Sequence, residues 1–212
     1  MVACAGSRGL TEDEARCVVE RLAGNAIGRV EQLVALVLAE NERQNLISRS
    51  SAAHIWSRHI LDSVQLAAFA RPSDLRWADI GTGAGFPGLV IAALDRWDVV
   101  MIEPRRLRAK FINDCVDALG VARATVVQST VERLKIAAFD IVSARAVASL
   151  SGVLKMTRHV AKPTTRYIVP KGRQAREEIE TARRDWQGVF HVEQSLTNSL
   201  SGVIVADEVR AR

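Results

Sequence analysis

A chain of 212 residues, 48% hydrophobic and 25% charged, has the composition of a globular protein with room for one α/β domain and a helical appendage. No apolar run approaches the roughly 20 residues of a membrane-spanning helix, and the opening MVACAGSRGLTEDEARC has no basic region followed by an apolar stretch, so neither a membrane partner nor a secretory leader is expected. Net charge is +5 and the pI about 9.6, which favours a polyanionic partner, but few aromatics accompany the basic clusters, so a single-strand stacking platform is not visible.

In chain order, TEDE at Thr11 to Glu14 is a capping box and opens a helix carrying Val18, Val19 and Leu22. Ile27, Val30, Leu33, Val34, Val37 and Leu38 form a second stripe with a period near 3.6. A third helix is predicted over 54–69, with Ile55, Ile60, Leu61, Val64 and Ala68 inward. RPSDLR at Arg71 to Arg76 is a turn that closes this helical part, which gives an N-terminal helical extension over 1–73 and a Rossmann-like domain over 74–212. Strands follow at 75–80, 99–102, 124–127, 139–142, 167–169, 190–194 and 203–209. Helices are predicted at 105–119 (stopped by Gly120), 149–159 and 173–186, and Pro87 suits the first turn of another. This alternation implies a mostly parallel sheet with helices on both faces. Cys4, Cys17 and Cys115 are odd in number and lack metal-ligand spacing, so no metal is expected and a reducing cytoplasm suits them.

The chemistry concentrates in WADIGTGAGFPG, Trp77 to Gly88. GAGFPG satisfies the dinucleotide pattern G-x-G-x-x-G, which keeps a nicotinamide-dependent oxidoreductase open. Glycines between a strand and a helix let a ligand approach the backbone at the carboxyl ends of the strands. Glu103 ends the second strand, where a carboxylate accepts both hydroxyls of a ribose, in NAD and in S-adenosylmethionine alike. Asp79, two residues before Gly81, discriminates between them: it would repel a pyrophosphate and attract the ammonium of a methionine moiety, directly or through water. Gly81, Gly83 and Gly85 then form an adenosylmethionine loop, with Gly88 inside the helix.

DIGTGAGFPG, with RHILDS at Arg58 to Ser63 upstream and SARAVASL at Ser143 to Leu150 downstream, resembles the bacterial small-subunit ribosomal RNA methyltransferase G family, also called glucose-inhibited division protein B. The resemblance runs from about Asn41, through NLI at Asn45 to Ile47, to the carboxyl terminus. It implies a class I S-adenosylmethionine-dependent methyltransferase fold with a seven-stranded sheet and an N-terminal helical extension. It also implies N7 methylation of a guanine in 16S rRNA. The expected partner is 16S rRNA or the 30S subunit, with the choice between them left open, and a cytoplasmic monomer is expected. Carried over residue by residue, the cofactor contacts fall on Gly81, Phe86, Val131, Glu132 and Arg145. Thr130 stands where the family often has arginine, which puts any contact of that arginine in doubt.

Each carried residue has a plainer alternative. Glu132 reads equally as a solvated helix-cap acid. Arg145, just past an apolar strand, suits a methionine carboxylate or an RNA phosphate, or else a salt bridge to Asp140 or a helix carboxylate. Arg58 and Asp62 have the i,i+4 spacing of an ordinary helical ion pair, and His59 reads first as a hydrogen-bonded structural histidine. Lys171 matches a family lysine and is a phosphate-contact candidate, as are Arg58, His59, Arg105, Arg106, Arg108 and Arg173. No general base is expected, because guanine N7 carries a lone pair and no proton. A methyltransferase of another substrate, or a cofactor-binding RNA module without catalysis, remain alternatives.

Overall fold

The computed structural model describes residues 9–212; the leader reading of the first residues and Cys4 lie outside them. Helix α1 (Glu12–Ala23) begins at the predicted box: Glu14 N donates to the Thr11 hydroxyl at 3.2 Å, and Thr11 N donates to the Glu14 carboxylate at 2.8 Å. A 3₁₀ turn at Gly24–Ala26 leads into α2 (Ile27–Gln44), which Asn45 ends in the left-handed region at φ 48°. Glu12–Gln44 has the length and hydropathy of a membrane span. It is nonetheless broken at Gly24–Ala26, and Val30, Leu33, Val34 and Val37 are buried in the core. Burying each such side chain is worth about 1.5–3 kcal/mol, which is why this helix is so apolar. A short helix α3 (Arg49–Ala52), capped by Ser48, follows.

The single helix expected over 54–69 is a composite. Trp56–Ile60 is a π turn, α4 is Leu61–Val64, and Gln65–Phe69 is 3₁₀. The Glu12 carboxylate accepts from the amides of Trp56 (2.9 Å) and Ser57 (3.0 Å) and anchors the start of the π turn to α1. Closure from i to i+5 takes Arg58 out of line with Asp62, so the predicted i,i+4 pair is not formed.

The sheet comprises β1 (Arg76–Ile80), β2 (Asp98–Ile102), β3 (Ala124–Val127), β4 (Phe139–Ala144), β5 (Ala161–Lys171), β6 (Trp186–Gln194) and β7 (Gly202–Ala211). Their order is β3-β2-β1-β4-β5-β7-β6, parallel except for β7, which runs antiparallel to both neighbours. Strand β5 is longer than predicted because its first residues, Ala161 to Thr164, are polar or partly exposed and carry no apolar signal. The helices are α5 (Gly88–Ala93), α6 (Arg106–Leu119), α7 (Leu150–Thr157) and α8 (Ala175–Ala182). Helix α8 is shorter than predicted: Arg183 caps it, and Trp186 already belongs to β6.

One core cluster joins α1, α2, α4, α5 and α6 to one face of the sheet, so the N-terminal helices share a core with β1 and β2. The other face packs on α7 and α8. The chain runs outward from β1 to β3 and returns on the far side of β1 as β4. The switch point between β1 and β4, at their carboxyl ends, is where open α/β sheets bind ligands.

Candidate active site

The glycine loop fills that crevice, and most of its amides are already used. Thr82 N donates to Ile102 O (3.2 Å), and Gly85 N and Phe86 N both donate to Thr82 O (2.9 and 3.0 Å). Gly83 N donates to Glu103 (2.9 Å) and Gly88 N to Asp79 (2.8 Å). A dinucleotide pyrophosphate needs such amides free at the helix N-terminus. Here a carboxylate occupies the anion position at the start of α5. Gly85 has φ +93°, and a Cβ there would meet Leu89 Cδ1 at 2.3 Å. At Gly88 a Cβ would meet Met101 Cγ at 2.6 Å and Asp79 Oδ2 at 2.8 Å. The third glycine of the dinucleotide pattern is thus present to admit Asp79 and β2, not a phosphate.

This corrects the expected position of Asp79. Its side chain is fully buried beneath the loop and does not line the cavity. It accepts from Gly88 N and from Ser143 Oγ (2.8 Å), and Ser143 Oγ accepts in turn from the Trp77 indole (2.8 Å). Burial pushes the carboxyl up to about 6, against the hydrogen bonds that favour its ionised form. Asp79 therefore braces the loop from below.

A cavity of about 560 Å³ lies above the loop. Gly81, Thr82, Gly83, Ala84 and Phe86 form its floor. Glu103, Arg105 and Arg108 form one wall, and His59, Arg145, Ala146 and Val147 the other. The side chain of Glu103 is held by Gly83 N and Arg105 N, both at 2.9 Å, which fixes a carboxylate at the end of β2 as predicted. On the β4 side, Arg145 donates to Asp62 (3.2 Å) and to the Arg58 carbonyl (3.3 Å), and its Nη2 lies 2.9 Å from His59 Nδ1. Its guanidinium sits 5.5 Å from the Phe86 ring centroid, and His59 stacks on Phe86 at 4.9 Å and 16°. Of the two plain alternatives for Arg145, the helix carboxylate is realised; Asp140 instead pairs with Lys162. Ala146, next to Arg145, is held at φ 56°, a strained setting for a residue with a Cβ.

Burial and the charges of Arg145 and Arg58 push His59 down to about 4, so the imidazole is neutral at ordinary pH. Asp62 is pushed up by burial, with Arg145 pulling the other way. Gln65 ties Asp62 to the β6–β7 connection: its amide donates to Asp62 (3.1 Å) and Ser195 (3.2 Å), and its carbonyl accepts from Leu196 N (2.8 Å).

Other predicted residues lie elsewhere. Lys171 is corrected as a phosphate contact: its ammonium is mostly buried, bonded to Ala148 O (2.6 Å) and paired with Glu178 (2.9 Å). Val131 and Glu132 form a 3₁₀ turn after β3, Val131 buried and Glu132 exposed, and neither lines the cavity. Arg58, Arg106 and Arg173 are exposed outside the cavity wall. Leu46, Ile47, Ser48 and Ser51, from the α2–α3 connection, also line the cavity; only the NLI stretch marks them in the sequence. Cys17 is exposed, and burial pushes the Cys115 thiol up to about 12, which leaves it inert. Among the described residues, no three His, Cys, Asp or Glu side chains are grouped to hold a metal.

This strand order with a reversed β7, a carboxylate at the end of β2 and a glycine loop closed to pyrophosphate define a class I methyltransferase fold. Solved structures agree on the fold. A SAM-dependent methyltransferase from Aquifex aeolicus superposes with TM-score 0.57 at 15% identity, covering 77% of this chain and 95% of its own. A single-residue mutant of MtNAS, solved with S-adenosylmethionine, gives 0.57 at 14% identity, with coverage of 92% and 78%. In sequence, the family described as rRNA small subunit methyltransferase G matches residues 26–204. The relative named ribosomal RNA small subunit methyltransferase G from Erythrobacter litoralis is 41% identical over 92% of this chain and 95% of its own length. That of Novosphingobium aromaticivorans is 44% identical, over 85% and 80%. The chain belongs to the rRNA small subunit methyltransferase G family.

Proposed function

We propose that this chain binds S-adenosylmethionine over the glycine loop and methylates N7 of a guanine in 16S rRNA. The observation that carries the reading is family membership over 26–204 together with a cavity whose two walls divide the work. Glu103, already oriented by two amides, takes the ribose hydroxyls. Arg145 offers its guanidinium to the methionine carboxylate. Val131 and Glu132, outside the present wall, are the adenine-side candidates. When bound, S-adenosylmethionine supplies an electrophilic methyl group, which the N7 lone pair takes as the carbon–sulfur bond of the sulfonium breaks. The base has no proton to lose, so the protein needs no general base; its contribution is position and electrostatics.

RNA binding draws on the start of α6. Arg106 and Arg108 lie in its first turn, with Arg105 at the N-cap and no acid among them. Positive charge is unfavourable at a helix N-terminus, so these arginines are better explained by a polyanion than by the helix. Arg105 and Arg108 line the cavity mouth, where a phosphate beside an extruded nucleotide would pass. Arg58 and Arg173, exposed outside the cavity, are further candidates for phosphate contact.

The test is transfer of tritiated methyl to 30S subunits and to naked 16S rRNA from a strain lacking the gene, followed by borohydride–aniline cleavage. Label in 16S rRNA with a cleavage at one guanine is expected. No difference in cleavage between the deletion strain and its parent rejects the guanine-N7 reading.

A further inference from the structure

Two residues lining the cavity carry a buried polar atom without a hydrogen-bond partner among the described residues, Thr82 and His59. The Thr82 hydroxyl lies in the loop against Asp79, whose ionised form it favours, which leaves the imidazole of His59. His59 Nε2 is buried, with no hydrogen-bond partner among the described residues. Its hydrogen can be assigned. Nδ1 lies 2.9 Å from Arg145 Nη2, and a guanidinium has donors only, so Nδ1 accepts and the proton of the neutral ring sits on Nε2. The ring cannot turn freely: it is stacked on Phe86 and tied to Arg145. A buried donor left without an acceptor is costly and uncommon in folded proteins. Here it belongs to a ring that lines the cavity.

The topology says which part of the cavity this is. Glu103, at the end of β2, is on the ribose side of the glycine loop. His59 and Arg145 stand across the loop, at the end of β4. The His59 ring therefore lies away from the ribose side, next to the arginine offered to the methionine carboxylate and across the cavity from Arg105 and Arg108, where a base extruded past those arginines can meet it.

From this, and resting on the guanine-N7 reading, we propose that His59 is a specificity residue: its Nε2–H donates to O6 of the target guanine. The Hoogsteen edge of guanine presents two adjacent acceptors, N7 and O6, whereas adenine presents N7 and an amino donor. A single donor at O6 leaves N7 to the methyl group and rejects adenine by setting donor against donor. The charge suits the step as well. Methylation at N7 makes the base cationic, so an imidazolium or a bare guanidinium against it would oppose the reaction. Arg145 is paired with Asp62, and the group it holds toward the base is a neutral ring. Nε2 is closed to water in this structure, so the acceptor reaches it with a small rearrangement of the cavity lining around a ring that keeps its stack on Phe86. Side-chain changes of that size are common on binding.

The test is a cycle between residue and atom. Reconstituted 30S subunits, or naked 16S rRNA if that is the substrate, carry either guanine or 2-aminopurine at the methylated position; 2-aminopurine keeps N7 and lacks O6. Single-turnover rates are measured for wild type, His59→Leu and His59→Gln, whose amide N–H can replace the imidazole donor. The ratio of ratios cancels the intrinsic nucleophilicity of the two bases. Wild type should prefer guanine by at least about tenfold more than His59→Leu does, with His59→Gln keeping most of that preference. The same pattern should appear without chemistry, as a binding ratio in the presence of S-adenosylhomocysteine. An unchanged preference in His59→Leu overturns the proposal. Should that variant fail to fold, a wild-type enzyme that binds and methylates the two bases equally overturns it. Wild-type enzyme that labels RNA without a borohydride-sensitive guanine rejects the underlying N7 reading instead.

Discussion

Asp79→Asn separates a brace beneath the glycine loop from a group facing the cofactor, and its effect on stability can be worked out. The carboxyl moves from 3.8 to about 6 on folding because it is fully buried. The folded protein therefore holds this proton more tightly than the unfolded chain. The group's contribution to stability is complete below 3.8 and is lost as pH rises through about 6. At about 1.4 kcal/mol for each tenfold change in proton affinity, the full loss is about 3 kcal/mol, with about 2 kcal/mol of it between pH 4 and pH 6. Asparagine can reproduce the protonated state. Its oxygen accepts from Gly88 N, its amide faces Ser143 Oγ, and the Ser143 hydroxyl has Ala78 O at 3.4 Å as a second acceptor. Urea unfolding of both proteins across pH 4–7.5 reads the difference, and groups common to both cancel. With a urea slope of about 2 kcal/mol/M, the gap in midpoints should widen in favour of Asp79→Asn by about 1 M from pH 4 to pH 6. Curves that stay parallel within about 0.5 kcal/mol would refute the claim that Asp79 is a desolvated carboxylate under the loop.

Three further outcomes are expected. Arg145→Ala leaves the Asp62 carboxylate without its ion pair and should cost about 2–3 kcal/mol, while adding Asp62→Asn should recover at least about 1 kcal/mol; additive losses in thermal or urea melts would count against the pair. Glu103→Gln should weaken S-adenosylhomocysteine binding about tenfold or more by calorimetry, because one hydrogen bond to a charged carboxylate is worth about 1.5–3 kcal/mol; affinity within twofold of wild type removes Glu103 from the ribose. Gly88→Ala forces a methyl against Met101 and Asp79 and should destabilise the protein by about 1–3 kcal/mol, and an unchanged melting temperature would contradict the close packing at the start of α5.

Local signals read well wherever a short stretch controls its own geometry. The Thr11–Glu14 box, the stop at Gly120 and the strand at Ala124–Val127 were all legible, because capping, positive φ and β-branched runs act within a few residues. The π turn at Trp56–Ile60 was not, since its anchoring contacts come from Glu12, 44 and 45 residues away. The polar start of β5 was illegible for the same reason: it has no apolar pattern of its own, and what holds it is distant, the pairing of Ala161 with Phe139 of β4 and the Thr165 hydroxyl on the Phe139 carbonyl across a register shift.

The same division runs through the site. The sequence by itself determined that a glycine loop joins strand to helix, that Glu103 ends the next strand and that Arg145 follows the fourth, because each of these is a position within one βα unit. Which way the side chains face was decided by packing between units. Asp79 and Lys171 read as ligand contacts, yet one is held under the loop by Gly88 and Ser143 and the other is taken by Glu178 and Ala148. Arg58 and Asp62 read as a pair, but Asp62 belongs to Arg145, 83 residues later. A carboxylate or ammonium in a partly dry interior goes to whichever opposite charge or amide the fold brings within about 3 Å, and only the tertiary structure brings those partners together.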